Sequence, residues 1–249
     1  MKAKIKKRII SNLLQGDCLI EMPKIPDNSI DMILSDPPYG TTACKWDSII
    51  PLEPMWKQLK RIAKINAAIV MTTSQPFTTT LIASNMKMFR YEYIWLKIRG
   101  QNFLQAKKQF MKAHEVCLIF YQKQSLYNPQ MTKISAKDIR KPQRHTAHKS
   151  EVYNVKKMSS IDYDPYKRYP LSYGLFPSGR ARDKLHPSQK PIALMEYLIK
   201  TFTNEKDIVL DFAMGSGTTG IACKNLNRKF IGIELNKKYY RIALKRIQG

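Results

Sequence analysis

The sequence of 249 residues is poor in cysteine and has no long uninterrupted apolar segment. No stretch approaches the roughly 18 consecutive apolar residues of a transmembrane helix, and the basic N-terminus is not followed by the apolar run of a signal peptide. The four cysteines are too widely spaced for a zinc knuckle or a redox motif: Cys18, Cys44, Cys117 and Cys223. We therefore expect reduced thiols and a cytoplasmic location.

Acidic residues are also scarce, because 19 Asp and Glu stand against 43 Lys and Arg and give a net charge of +24. A charge of this size destabilises a compact state by self-repulsion, and a polyanionic partner is the simplest reason to carry it. We therefore expect a nucleic acid partner. A generally lysine-rich composition is the alternative, and net charge alone does not separate the two.

Short apolar runs alternate with segments of helical periodicity along most of the chain. Strands are predicted over residues 9–15, 30–35, 67–71, 91–97, 115–121, 207–211 and 230–234, and helices over 54–64, 77–86, 191–202, 218–225 and 237–247. This alternation favours an α/β fold with a parallel sheet. From 122 to 185 the periodicity fades, and 14 basic and 5 acidic residues give that segment a charge of about +9. We predict one domain from 1–121 and 186–249 with an insertion at 122–185.

A glycine-rich turn is the sharpest local motif. The segment from Gly215 to Gly220 reads G-x-G-x-x-G, follows a predicted strand and opens a predicted helix. Its glycines allow close approach of a ligand, and the helix N-terminus offers free amides. Glu234 ends the next strand, 19 residues after Gly215, where an acid can accept hydrogen bonds from ribose. These features predict a site for a dinucleotide or another adenosine-containing ligand; a tight turn beside a surface acid is the alternative.

The glycine turn comes late, since only 15 residues follow Glu234. The rest of the sheet must come from upstream, which predicts a circularly permuted order in which the strand ending near Asp36 opens onto the same crevice. The segment Asp36-Pro37-Pro38-Tyr39 provides an acceptor carboxylate, carbonyls beside prolines that lack amide donors, and an aromatic face. That combination suits the exocyclic amine of a nucleobase. A proline turn after a strand is the alternative.

These motifs together resemble those of a known enzyme family. Asp36-Pro37-Pro38-Tyr39 resembles the catalytic motif of amino-group DNA methyltransferases, and the segment from Asp211 to Gly220 resembles their S-adenosylmethionine loop. The order of the two motifs is similar to that of the beta group. Residues 186–191 (His-Pro-Ser-Gln-Lys-Pro) and 16–18 (Gly-Asp-Cys) are similar to two further cofactor elements. The resemblance covers the chain apart from 122–185 and implies a Rossmann-like methyltransferase sheet.

The resemblance also implies roles for individual residues. Once the target base has left the duplex, Asp36 and the Pro37 carbonyl would accept hydrogen bonds from its amine, beside Pro38, and Tyr39 would stack on the base. No metal is implied, because the sulfonium of the cofactor already activates the methyl group. The implied cofactor-binding residues are Asp17, Cys18, Asp36, Ser188, Lys190, Asp211, Phe212, Ala213, Gly215, Ser216, Gly217, Thr218, Thr219, Glu234 and Leu235.

The cofactor loop departs from the family pattern at one point. The family reads Asp-Pro-Phe before the glycines, whereas this chain reads Asp211-Phe212-Ala213, with the aromatic one position earlier.

At the catalytic motif, family members that begin with Asp mostly methylate adenine N6 and those that begin with Ser mostly methylate cytosine N4. We therefore expect an N6-adenine enzyme, with N4-cytosine as the alternative. An NAD-dependent oxidoreductase, an RNA or protein-amine methyltransferase and a non-catalytic DNA-binding module are the other readings.

In the resemblance, the insertion at 122–185 holds the target-recognition region. Basic residues interleaved with tyrosines suit a nucleic-acid surface, since aromatic rings stack on bases and cations meet phosphates; an ordinary solvated loop is the alternative. The expected DNA contacts are Lys156, Lys157, Lys167, Arg168, Arg180 and Arg182. Double-stranded DNA is the expected partner, while a homodimer and a cognate restriction endonuclease stay open. His145 and His148 lack a third ligand nearby, so no metal site is expected.

A few residues outside the motifs are also candidates. Trp46 and Asp47 follow the catalytic motif and suit either a loop that closes over the base or a core position. Trp95 and Lys97 end a predicted strand at the same edge and are candidates for the surroundings of the flipped base. Lys107, Lys108 and Lys112 suit a solvated face or phosphate contacts.

Overall fold

The computed structural model describes residues 11–41, 47–135, 164, 166–178, 185 and 189–249. Its contacts divide the chain into one unit of residues 1–128 and 172–249 and a second unit of residues 129–171. In the second unit, strands β6 (Thr132–Lys133) and β7 (Lys167–Arg168) pair antiparallel. This unit falls inside the predicted insertion at 122–185, whose own boundaries stay a prediction.

The first unit contains a mixed sheet. In the described residues it has eight strands, in the order β1-β10-β9-β2-β3-β5-β4-β8. The first five of these run parallel, β5 and β4 follow antiparallel, and β8 is parallel to β4. The strands are β1 (Ser11–Gln15), β2 (Ile30–Ser35), β3 (Ala63–Thr73), β4 (Phe89–Gln101), β5 (Lys112–Phe120), β8 (Tyr173–Leu175), β9 (Ile208–Asp211) and β10 (Lys229–Glu234).

Helices cover both faces of this sheet. They are α1 (Cys18–Glu21), α2 (Leu52–Ile62), α3 (Phe77–Ser84), α4 (Ile192–Phe202), α5 (Thr218–Asn225) and α6 (Lys237–Gln248). Strand β2 shows the layering, because Ile33 packs in the cluster with α2 and α3 while Met32 and Leu34 pack in the cluster with α4, α5 and α6. A strand buried on both faces carries a continuous apolar run, which is why this strand is readable from sequence.

The predicted α/β class and the circular permutation are confirmed, but the sheet is mixed rather than wholly parallel, because β5 pairs antiparallel with both β3 and β4. Strands β2 and β9 pair parallel, with Met32 opposite Val209 and Ile33 opposite Leu210, although they are far apart in the chain. The sheet continues from β2 towards β3 and from β9 towards β10, so the strand order changes direction between them. Ligands of open α/β sheets bind beyond the carboxyl ends of the strands at such a point.

Element boundaries differ slightly from the predicted ones. Helix α2 ends at Ile62, two residues before the predicted end, because Ala63 already pairs with Ile30 of β2. Strand β4 extends to Gln101, well past the predicted end, since it forms a long hairpin with β5 in which Gln101 lies opposite Lys112. Among the helices that the structure describes, none has both the length and the apolar character needed to cross a bilayer.

Candidate active site

A cavity of about 1030 Å³ lies at the carboxyl ends of the parallel strands in the first unit. It brings together most of the residues that the sequence marks as catalytic or cofactor-binding. Those lining it are Asp17, Cys18, Asp36, Pro37, Pro38, Tyr39, Lys190, Asp211, Phe212, Ala213, Gly215, Ser216, Thr218, Thr219, Glu234 and Leu235. Ser188 lies outside the described residues, and Gly217 does not line the cavity.

The carboxylate of Asp36 is held by three donors from different parts of the chain. Its Oδ1 accepts a hydrogen bond of 2.5 Å from the Tyr39 hydroxyl and another from the Thr72 hydroxyl. Its Oδ2 accepts a hydrogen bond of 2.7 Å from the Lys190 ammonium. Burial, followed by the charge of Asp36, raises the pKa of Tyr39 well above its ordinary value, so this phenol stays a donor.

Lys190 belongs to a row of alternating charges that extends away from Asp36. Its Nζ lies 3.3 Å from Oε2 of Glu115, and Oε1 of Glu115 lies 2.5 Å from Nζ of Lys97. Burial alone lowers the pKa of Lys190, but the negative charges of Asp36 and Glu115 outweigh it and raise that pKa well above the ordinary value. Lys190 therefore carries its charge in a nearly buried position, with 8% of its side chain exposed.

In the other two members of the row, burial and charge also shift the pKa in opposite directions, but the outcome differs between them. For Glu115, burial raises the pKa, but Lys190 and Lys97 outweigh it and the pKa lies below the ordinary value. For Lys97, burial lowers the pKa and the attraction of Glu115 offsets only part of that effect. Lys97 also lies 4.8 Å from the centre of the Trp95 ring, and both residues line the cavity; their place beside a flipped base stays a prediction.

Asp47 fixes the turn that follows the catalytic motif. Its carboxylate accepts hydrogen bonds from the backbone amides of Tyr39 (2.8 Å), Gly40 (2.9 Å) and Thr41 (2.9 Å). Gly40 has a φ of +67°, a left-handed conformation that favours glycine. The Tyr39 ring is stacked on Phe77, with ring centres 5.5 Å apart. Trp46, the neighbour of Asp47, lies outside the described residues.

Asp211, at the end of β9, is the most deeply buried acid of the cavity. Its carboxylate accepts hydrogen bonds from Ser35 Oγ (2.7 Å), Thr219 Oγ1 (2.6 Å) and the Ala213 amide (3.1 Å). Burial nonetheless raises the pKa of Asp211 to about 6, because the desolvation of the charge exceeds what these donors return. A cationic ligand group in the cavity would lower the free energy of the ionised form.

Glu234 ties the glycine loop to the end of β10. Its two carboxylate oxygens accept hydrogen bonds from the amides of Gly215 (2.9 Å) and Asn236 (2.7 Å). Burial raises its pKa above the ordinary value. Gly217 has a φ of +80°, and a Cβ there would lie 2.9 Å from atoms of Ala243 and Ile247. The absence of a side chain at Gly217 therefore allows the loop to pack closely against α6.

The N-terminal element contributes a helix start at the same cavity. The Asp17 side chain accepts a hydrogen bond of 2.8 Å from the Leu19 amide and caps α1, and its neighbour Cys18 is buried. Burial, followed by the charge of Asp17, raises the pKa of Cys18 to about 12, so the thiol stays neutral. Cys18, Cys117 and Cys223 are free thiols, and Cys44 lies outside the described residues.

Some residues of the site are not identified by the sequence reasoning. Thr72 and Glu115 carry no motif of their own; Glu115 is visible only as an acid at the start of a predicted buried strand.

Phe212, displaced from its family position, is 2% exposed and packs in the core as well as lining the cavity. In the parts of the chain that the structure describes, no cluster of His, Cys, Asp or Glu could hold a metal; His145 and His148 lie outside them.

Two of the predicted DNA contacts lie in the described part of the second unit. Lys167 and Arg168 form β7, and Nζ of Lys167 lies 2.9 Å from Oδ2 of Asp164 in an exposed ion pair. The other predicted contacts, Lys156, Lys157, Arg180 and Arg182, lie outside the described residues. The DNA-binding role of all six stays a prediction.

The acidic side chains of the cavity suit a nucleoside that carries a positive charge. The buried Asp211 suits a cationic group, and Glu234 stands at the strand end where an acid meets ribose in sheets of this kind. Asp36 and Tyr39 lie in the same cavity and leave an acceptor and an aromatic ring for a second, planar group. The arrangement can therefore hold two ligands side by side.

Comparisons with known proteins identify relatives of this chain. A family model described as a DNA methylase matches residues 30–245. The type II methyltransferase M.BglII of Bacillus subtilis is 30% identical over 98% of this chain and 70% of its own length. The DNA adenine methyltransferase YhdJ of Escherichia coli is 29% identical over 94% of this chain and 82% of its own length. The crystal structure of the M1.HpyAVI–SAM complex, 24% identical, superposes with a TM-score of 0.65 over 96% of this chain and 100% of that one.

Proposed function

The chain belongs to the N6/N4 DNA methylase family, and from that premise we propose that it transfers a methyl group from S-adenosylmethionine to the N6 amine of adenine in duplex DNA. The DNA methyltransferase activity follows from the family. The choice of adenine and the roles of individual residues are the parts that we propose. A homodimer and a cognate restriction endonuclease, which the sequence leaves open, are not needed for this activity.

The observation that carries the proposal is the position of Asp36 in the same cavity as Asp211 and Glu234. Two motifs more than 170 residues apart in the chain meet there because β2 and β9 are neighbours. An oxidoreductase would need the glycine loop and Glu234 but would have no use for an Asp-Pro-Pro-Tyr segment across the same crevice. A methyltransferase needs both, since donor and acceptor must lie side by side.

Asp36 acts as an acceptor that orients the target amine. A carboxylate offers about four lone-pair sites, and the three described donors leave room for one more hydrogen bond. The amine of a flipped base would donate to that site and to the Pro37 carbonyl. This pair of bonds directs the nitrogen lone pair away from the ring and towards the methyl donor, so the protein contributes mainly position and electrostatics.

Tyr39 provides the surface on which the base stacks. Its ring is already backed by Phe77, and its hydroxyl is bonded to Asp36, so the ring is held in place before a base arrives. Asp47 holds the backbone of the same turn through three amides. We propose Asp36, Pro37, Pro38 and Tyr39 as the residues that contact the base, with Asp47 and Lys190 as positioning residues.

The remaining cavity residues would hold the cofactor. Asp211 would face its methionine portion, Glu234 its ribose and the segment from Asp17 to Cys18 its adenine, with the glycine loop between them. Bound there, S-adenosylmethionine supplies a methyl group activated by the positive sulfur, so that no metal or covalent nucleophile is needed. The structure of the related M1.HpyAVI was solved as a complex with this cofactor, which supports the assignment.

Adenine is favoured over cytosine by two observations. The catalytic motif begins with Asp36, and family members with Asp in this position mostly act on adenine. The relative YhdJ, which covers 94% of this chain, is a DNA adenine methyltransferase. An N4-cytosine activity remains the alternative, because the same family contains both.

The test is to identify the modified base directly. DNA from cells that express the protein is digested to nucleosides and analysed by mass spectrometry, and the same DNA is sequenced by a single-molecule method that reports modified positions. We expect N6-methyladenine in one sequence context. N4-methylcytosine in its place would overturn the choice of base but keep the reaction.

The variant Asp36→Ala provides the control for catalysis. We expect it to lose methylation while it retains binding of duplex DNA and of S-adenosylmethionine by calorimetry. Labelled methyl transfer to RNA rather than DNA would support the RNA methyltransferase reading. Tight binding of NAD without binding of S-adenosylmethionine would support the oxidoreductase reading, and an Asp36→Ala protein without any defect would support a non-catalytic DNA-binding module.

A further inference from the structure

The loop between β4 and β5, residues 102–111, exposes an unusual number of large apolar side chains. Phe103 is 73% exposed, Leu104 is 82% exposed and Phe110 is fully exposed, with Met111 beside them at 43%. Single exposed apolar residues are common, but several on one short segment indicate an interaction site. Here we call this segment the β4–β5 loop.

The β4–β5 loop starts from the rim of the proposed active site. Gln101 and Lys112, the last pair of the hairpin, both line the cavity together with Asn102. Asn102 has a φ of +64°, which turns the chain out of β4 into a short 3-10 turn at Phe103–Gln105. Every residue from 101 to 111 is exposed, so the apolar side chains stand in solvent at the mouth of the cavity.

The charge around the loop has one sign. Arg99, Lys107, Lys108 and Lys112 fall between positions 98 and 114, and that stretch contains no Asp or Glu. A protein partner with an ordinary mixed surface would not require this bias. A duplex nucleic acid has a polyanionic exterior and an apolar stack of bases inside, and it matches both properties of the loop.

We propose that the β4–β5 loop enters the base stack of duplex DNA beside the target nucleotide, with Phe103, Leu104 and Phe110 as the inserted side chains and Lys107 and Lys108 on phosphates. The inference rests on the proposed function, because a base must leave the stack to reach Asp36. DNA-binding proteins insert apolar side chains between base steps in this way, and the inserted group replaces stacking that the flipped base gives up.

The test compares a paired substrate with a substrate whose target base is already unpaired. The variant Phe103→Ala/Leu104→Ala/Phe110→Ala and the wild type are assayed on a duplex with the recognition site and on the same duplex with an abasic position opposite the target. We expect kcat/KM of the variant to fall roughly 10- to 100-fold on the paired duplex and less than threefold on the unpaired one, because the second substrate has little unstacking left to do. The fluorescence of 2-aminopurine at the target position should rise with the wild type and much less with the variant.

Two controls distinguish an effect of the loop from a general effect of removing apolar side chains and from misfolding. Met86→Ala removes another exposed apolar side chain (61% exposed) that does not line the cavity, and we expect no change on either duplex. Binding of S-adenosylmethionine should be equal in all variants and shows that they fold. A wild type that methylates neither duplex would count against the proposed function and would not concern the loop.

Other results would overturn the proposal for the loop itself. An equal loss on both duplexes, or no loss, would exclude a role in unstacking. A change in sedimentation mass of the apolar variant without DNA would identify the loop as a contact between copies of the chain. The variant Lys107→Ala/Lys108→Ala tests the phosphate contacts independently: we expect the slope of log K against log salt concentration to fall by about 2, and an unchanged slope would contradict them.

Discussion

The ammonium of Lys190 lies 2.7 Å from Oδ2 of Asp36, on the side of the carboxylate opposite to the hydroxyls of Tyr39 and Thr72. The sequence motif around Lys190 resembles a cofactor element, but the contact that the structure gives it is with the residue that would hold the target amine. Lys190 itself is paired on its far side with Glu115. We therefore expect it to act on the rate of transfer rather than on cofactor affinity.

The first prediction concerns Lys190→Met. The variant loses a charge-assisted hydrogen bond to Asp36, a contact worth about 1.5–3 kcal/mol, so we expect kcat to fall roughly 10- to 100-fold. The dissociation constant for S-adenosylmethionine should change less than about threefold, because no other part of the cofactor site is altered. Single-turnover methylation and calorimetry measure the two quantities separately.

A matched variant controls for the loss of a lysine ion pair. Lys64→Met removes a lysine whose Nζ lies 2.5 Å from Oδ1 of Asp31, away from the cavity, and we expect wild-type kcat. Lys190→Arg keeps a cation and should recover part of the lost rate. If Lys190→Met instead weakened cofactor binding and left kcat unchanged, Lys190 would return to the cofactor site that its motif suggests.

The second prediction concerns Asp47, which was visible in the sequence only as a neighbour of Trp46. Replacement by Ala leaves the amides of Tyr39, Gly40 and Thr41 without their acceptor, and unsatisfied buried donors cost about 1–3 kcal/mol each. We expect Asp47→Ala to lower the thermal midpoint by several degrees and to reduce kcat at least tenfold. Asp47→Asn retains one acceptor oxygen, so we expect its thermal midpoint and its kcat to lie between those of Asp47→Ala and the wild type. Wild-type activity in Asp47→Ala would show that the turn holds its shape without this residue.

The third prediction is a pH dependence of stability that originates in Asp211. Its pKa is about 6 in the folded chain against an ordinary value of 3.8, so the folded state binds the proton more tightly than the unfolded state. The contribution of Asp211 to stability is therefore fully present below about pH 4 and is lost as the pH rises through 6. A shift of this size corresponds to roughly 3 kcal/mol at most.

Asp211→Asn isolates that contribution. The amide does not titrate, and the hydroxyls of Ser35 and Thr219 can reorient towards it. Chemical unfolding of both proteins between pH 4 and 8 should show the wild type losing stability relative to the variant from pH 4 to 6, with a constant difference above pH 7. A difference that does not vary with pH would mean that Asp211 is not desolvated in the folded chain.

The sequence predicts those parts of the site that are local in the chain. The catalytic motif at Asp36 and the glycine loop at Gly215 are continuous segments, and the apolar runs beside them mark buried strands. Their meeting in one crevice also follows from sequence, because a late glycine loop requires a permuted sheet and the structure has β2 beside β9.

The charge row is not predictable in the same way. Lys97, Glu115 and Lys190 come from β4, from β5 and from the segment before α4, and their contacts depend on the antiparallel order β3-β5-β4 at one end of the sheet. Periodicity does not encode the order of strands. Periodicity also does not mark the exposed β4–β5 loop as an apolar surface, because its lysines and glutamines give it the composition of an ordinary turn.

The fourth prediction separates the two roles of Tyr39. Tyr39→Phe keeps the ring over Phe77 and removes only the hydroxyl, while Asp36 retains its bonds from Thr72 and Lys190. We therefore expect less than a tenfold loss of kcat/KM. Tyr39→Ala also removes the stacking face, which is worth about 1–3 kcal/mol per base, and should lose a further 10- to 100-fold. Single-turnover methylation of one duplex by both variants measures the difference. Equal losses in the two variants would assign the whole effect to the hydroxyl and would leave the ring without a part in binding the base.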